Sequence, residues 1–159
     1  MKPGSFTQFP IHLVFAVKYR ECLLRKNIRQ ELFKYVSGIV TQMNHKSLIV
    51  NGYTDHIHVF FGLNPSVSIS DTVSEIKRAS AHFINEKKWF SGKFLWQEGY
   101  GGFAYTRSHV NNVFEYVKNQ EIHHQKNPFK DEYLKMLKKA EIEFEERFLP
   151  EFFDDYNID

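Results

Sequence analysis

The chain has 159 residues, 42% of them hydrophobic and 25% charged, which suits one globular domain spanning 1-159 and excludes a disordered chain. Its net charge of +2 supplies no global basic field, so any surface for nucleic acid must be a local patch. A lone cysteine, Cys22, rules out an intramolecular disulfide and fits a reducing compartment. With no apolar run of about eighteen residues and no signal-like start, the cytoplasm is the expected location and no membrane partner is expected.

Residues 1 to 7 carry Gly and Ser and read as loose. A strand follows in which Ile11, Leu13, Phe15 and Val17 alternate with His12, Val14, Ala16 and Lys18; Lys18-Tyr19-Arg20 closes it with two cations. From Asn27 to Met43, the positions Ile28, Leu32, Val36, Ile39, Val40 and Met43 form a helical stripe. Ser47 to Gly52 and His56 to Gly62 read as two strands joined tightly through Tyr53, Thr54 and Asp55. After Asn64-Pro65 a second helix is predicted, with Ser68 to Asp71 at capping-box-like spacing and Val73, Ile76, Ser80, Phe83 and Ile84 facing inward. Its other side is basic, with Lys77, Arg78, Lys87 and Lys88. Phe94 to Tyr105 reads as a fourth strand region broken by Gly99, Gly101 and Gly102. A helix beginning near Ser108 and closed by Asn127-Pro128 comes next, then a final helix around Asp131 to Glu146.

Two stretches carry chemistry. Side chains alternate along a strand, so His56, His58 and Phe60 share one face and present two imidazoles side by side. Such a pair is either two convergent metal ligands or two hydrogen-bonded strand histidines. In the 108–124 helix, Tyr116 and Gln120 are four apart and stack on one face, with His123 or His124 a turn further on.

These residues, with Trp96-Gln97-Glu98-Gly99-Tyr100-Gly101-Gly102-Phe103 between them and the opening strand from Ile11 to Arg20, resemble the HUH single-tyrosine transposases of insertion-sequence-200/605 type. The resemblance runs from about residue 8 to about residue 148. It implies an enzyme that cleaves and rejoins single-stranded DNA at element ends through a 5′-phosphotyrosine. Tyr116 would be the nucleophile, and His56, His58 and Gln120 would hold a divalent metal ion such as Mg or Mn. No nucleotide cofactor is expected, because the phosphotyrosine conserves the bond energy and no P-loop is present. It also implies DNA with hairpin ends as partner, and a homodimer whose active sites are shared between subunits. Lys18, Arg20, Lys77, Arg78, Lys87 and Lys88 are the candidate DNA contacts. Where many relatives have small polar residues after the Gly-Tyr-Gly turn, this chain has Ala104-Tyr105-Thr106.

The order strand, helix, strand, strand, helix, strand is the split βαβ, or ferredoxin-like, unit of an α+β antiparallel sheet. Its first and third strands lie centrally, and its two helices cover one face. The added C-terminal helix carrying Tyr116 would cover the other, over His56 and His58. Two other readings are a domesticated or inactive module that binds DNA hairpins without cutting, and a cupin-like oxygenase, which would need an all-β pattern that the helical stripes contradict.

Overall fold

A computed structural model describes residues 4–153. Strand β1 (Pro10–Ala16) leads through a 3₁₀ turn to helix α1 (Lys26–Gln42). The hairpin β2 (Lys46–Gly52) and β3 (His56–Gly62) precedes helix α2 (Ile69–Lys87) and strand β4 (Gly101–Ala104). Three helices follow, α3 (Val110–Lys118), α4 (Gln120–His124) and α5 (Phe129–Lys139). The sheet runs β2-β3-β1-β4, every pair antiparallel, so β3 and β1 are central as the element order predicts. Among the described residues no helix is long and apolar enough to cross a membrane.

Alternation along the central strands sorts two apolar faces. Leu13, Phe15, Ile57, Val59 and Phe61 meet Leu32, Val36 and Val40 of α1 and Val73, Ile76 and Ile84 of α2. On the opposite face Phe60 packs under Val113 and Val117 of α3, while Val14, Ala16 and Phe103 meet Phe129, Tyr133 and Leu137 of α5. The histidine face is therefore roofed by the helices that follow the fourth strand. The turn that sets β3 in register is tight: Tyr53 N–H donates to His56 O at 3.1 Å. A Cβ on Gly52 would lie 2.3 Å from that same oxygen, so only glycine permits this approach.

Three predicted elements take a different form. Of the 94–105 region only Gly101–Ala104 joins the sheet as a strand, with Trp96 making a single bridge to Val17. Lys77 Nζ donates to Gln97 O and Gly99 O at 2.7 and 2.6 Å, and Gly99 has φ +79°, so this backbone turns away from the ladder. The 108–124 helix divides at Asn119. Asn51 Nδ2 donates to the Val117 and Lys118 carbonyls, both at 3.0 Å, which ties the end of α3 to the edge strand. Ser108 Oγ lies 2.9 Å from Thr106 Oγ1, and no side chain caps α3. Finally, α5 begins after Pro128 and ends before Ala140, with Glu141 in the left-handed region at φ 56°, so it is shorter than the predicted 131–146. Phe83, predicted to face inward, is half-buried and stacks on Tyr35 with ring centroids 4.0 Å apart.

Candidate active site

His56 and His58 project from β3 beneath α3, α4 and α5, and both are fully buried. Each ring is fixed from behind. His56 Nδ1 lies 2.7 Å from Asp55 Oδ1, and His58 Nδ1 lies 2.7 Å from His12 Nε2 on the neighbouring central strand. The His56 ring lies flat against Phe129 of α5, with centroids 3.9 Å apart and planes at 2°. Both Nε2 atoms consequently turn inward.

Four side chains from the roof meet them. Gln120 opens α4 and brings Oε1 within 2.9 Å of His56 Nε2, while its Nε2 donates to Glu132 Oε2 at 2.8 Å. Glu132 of α5 sets Oε1 at 3.2 Å from His56 Nε2, 3.1 Å from His58 Nε2 and 3.1 Å from His124 Nε2. Tyr116 of α3 donates its hydroxyl to Glu132 Oε2. Helical spacing explains the roof: Tyr116, Gln120 and His124 recur every fourth residue and keep one face across the break at Asn119. Tyr116 is half-buried and His123 a third exposed, so the cluster reaches solvent on the tyrosine side.

Electrostatics follow from burying one carboxylate among imidazoles. Burial pushes the Glu132 carboxyl up, but its contacts with His58, His124 and His56 outweigh that and hold it well below the usual carboxylate range. Burial pushes His56 down, yet Asp55 on one nitrogen and Glu132 on the other raise it to about 10. His58 is held down, chiefly by burial, against the pull of Glu132. Burial and the Glu132 charge together push the Tyr116 hydroxyl well above its ordinary value. The tyrosine is thus a hydrogen-bond donor and the carboxylate its acceptor. Donor atoms of His56, His58, His124 and Glu132 all lie within 4.8 Å of one another, and the buried His124 Nε2 faces Glu132 Oε1 at 3.1 Å without hydrogen-bond geometry. A convergent set of three imidazole nitrogens and a carboxylate oxygen fits a divalent cation.

Residues 5–120 match the family described as Transposase IS200 like. The chain belongs to this family. It is 26% identical over 124 residues to the ISDra2 transposase TnpA of Deinococcus radiodurans, covering 74% of this chain and 87% of that one. Two solved structures share the fold of this IS200-like transposase. A crystal structure of a Deinococcus radiodurans R1 protein solved as a transposase superposes with a TM-score of 0.59 at 24% identity, covering 76% of this chain and 96% of that one. A REP-associated tyrosine transposase bound to a REP hairpin gives a TM-score of 0.57 at 15% identity, covering 78% and 74%.

The transposase thus brings His56, His58, Tyr116 and Gln120 into one site. The cations expected to touch DNA are dispersed. Lys77, Arg78 and Lys88 line an open cavity of about 790 Å³ together with His82, Lys93 and Trp96. Lys87 turns instead to Glu31 on α1, and Lys18 and Arg20 lie past the end of β1. The Lys77 ammonium is already committed to two backbone carbonyls, and burial lowers it to about 8. Sequence reasoning missed Glu132 and Asp55 and left His124 unassigned. The signal for Glu132 was available: Phe129, Glu132, Tyr133 and Leu137 form the buried stripe of α5, and a carboxylate in such a stripe needs a partner.

Proposed function

We propose that this transposase cleaves and rejoins single-stranded DNA at element ends through a 5′-phosphotyrosine on Tyr116, with a divalent cation held at His56, His58 and Gln120. The observation that carries this reading is the single carboxylate, Glu132, that touches both the histidine pair and the Tyr116 hydroxyl. A divalent cation bound there would polarise the scissile phosphate and neutralise charge developing on it. Tyr116 Oη attacks phosphorus, the bond from phosphorus to the 3′ oxygen breaks, and a 5′-phosphotyrosine and a 3′-hydroxyl result. Glu132 Oε2 is the nearest acceptor for the phenolic proton, which ends on the departing 3′ oxygen. Rejoining reverses each transfer, so no nucleotide cofactor is consumed.

A DNA hairpin is the partner of the REP-associated relative, and we extend hairpin recognition at the element ends to this chain. Arg78, Lys88 and Lys93 around the open cavity supply phosphate contacts, with Trp96 on its wall. The test is incubation of the purified chain with labelled single-stranded DNA bearing its own element ends, followed by a denaturing gel. An adduct is expected with divalent cation and none with EDTA. Hairpin binding without adduct across several cations would replace this reading with the non-cutting hairpin module.

For the homodimer that the resemblance implies, we propose two chains that each carry a complete site. Tyr116 already reaches Glu132 of its own chain, and its ring lies 6.0 Å from that of His58. Mixing Tyr116→Phe chains with His58→Ala chains is accordingly expected to restore no adduct. Recovery toward a quarter of wild-type cleavage would mean that α3 is exchanged between subunits.

A further inference from the structure

We propose that His124 and Glu132 are themselves ligands of the cation, so that three imidazoles and a carboxylate surround it and the site selects a transition metal of the manganese, cobalt or zinc kind over magnesium. This rests on the reading that the cluster binds a divalent cation at all. It departs from a two-histidine and one-amide set by adding residues beyond the segment 5–120 that matches the family.

The back of each imidazole carries the argument. A metal-bound histidine directs one ring nitrogen at the ion and commits the other to an outer partner, which fixes both tautomer and orientation. All three rings here obey that rule. His56 Nδ1 meets Asp55 Oδ1 at 2.7 Å, His58 Nδ1 meets His12 Nε2 at 2.7 Å, and His124 Nδ1 meets the Asn127 carbonyl at 2.7 Å. The three Nε2 atoms are left to converge, at 3.1 to 3.2 Å, on the single oxygen Glu132 Oε1. His124 is as tightly held as the strand pair: it is fully buried and stacks on Tyr53 with centroids 5.6 Å apart. Its buried Nε2 faces Glu132 Oε1 at 3.1 Å without hydrogen-bond geometry, an arrangement that a cation seated between the two atoms would satisfy on both sides.

Donor chemistry then selects the ion. Magnesium prefers oxygen ligands and keeps several waters, whereas imidazole nitrogens suit zinc, cobalt and manganese. Gln120 remains beside the site, its Oε1 against His56 and its Nε2 orienting Glu132 Oε2, so the carboxylate can offer Oε1 inward while Oε2 holds Tyr116.

The experiment uses the full chain, stripped by chelator and without DNA. Cobalt(II) is titrated while its visible absorption is followed, and X-ray absorption of the cobalt-loaded wild type counts imidazoles. Three imidazoles are expected, with cobalt affinity at least tenfold weaker in both His124→Gln and Glu132→Gln, and no displacement by millimolar magnesium. Circular dichroism of the two variants verifies folding, and the wild-type imidazole count stands without them. Two imidazoles, or wild-type affinity and spectrum in both folded variants while His58→Ala loses cobalt, would overturn the added ligands and leave the cation reading intact. Cobalt bound equally well by His58→Ala would overturn both. Displacement by magnesium would overturn the selectivity.

Discussion

A Tyr116→Phe chain is expected to lose the covalent DNA adduct by roughly 10³-fold or more, as removal of a nucleophile does, while remaining folded. The two effects separate because the hydroxyl is one of several partners of a well-supplied carboxylate. Its hydrogen bond to Glu132 Oε2 disappears, but Gln120 Nε2 still donates to the same oxygen at 2.8 Å. A cost of about 1 kcal/mol is therefore expected in denaturant unfolding. The aromatic ring stays in place against His58 and His123. DNA binding by the Phe variant, read by gel shift, should match wild type, which separates lost chemistry from lost recognition. If the adduct persisted, the nucleophile would have to be another group. Tyr105, half-buried beside His12 and Phe60, is the tyrosine to examine next.

The sheet was legible because its signals are local. Period-two alternation placed His56, His58 and Phe60 on one face, and the element order placed β3 at the centre. Tyr116 and Gln120 were legible for the same reason, since four-residue spacing survives even where the helix divides. Hidden parts depend on contacts between distant segments. Asn51 meets the end of α3 at a separation of 66 residues, and nothing in either stretch announces that capture. The 94–105 region reads as a strand broken by its glycines, but Lys77 of another element takes the Gln97 and Gly99 carbonyls, which no local pattern shows. Glu132 lies on the apolar stripe of its helix with Phe129, Tyr133 and Leu137, which marks it as buried but does not say against what. Only the docking of α5 over β1 and β3 makes it the centre of the site.

That docking makes Phe129 the most consequential position outside the polar cluster, and Phe129→Ala is expected to destabilise the chain by about 3–5 kcal/mol, a large share of the roughly 5–15 kcal/mol that folds a typical domain. Phe129 is 2% exposed, lies flat on His56, and is packed at its edges by Tyr133 and Phe152. Truncation leaves a cavity bounded by an imidazole and two aromatic rings, which the rigid central strand cannot close. An eleven-residue helix has little stability of its own. Its position depends on this packing and on the 149–152 stretch, where Gln97 exchanges two hydrogen bonds with the Glu151 backbone at 2.9 and 2.7 Å. Loss should thus fall on α5 before the sheet. Hydrogen exchange across 129–139 is expected to rise well before that of β1 and β3, and the urea midpoint to fall. Withdrawal of α5 also removes Glu132 from the three imidazoles, so DNA cleavage should fall with it although Phe129 touches no substrate. Phe129→Leu, which keeps most of the volume, should cost about 1–2 kcal/mol by the same cavity argument. If Phe129→Ala unfolded at the wild-type urea midpoint, α5 would be held by its polar contacts, and the dependence of the site on aromatic packing would be wrong.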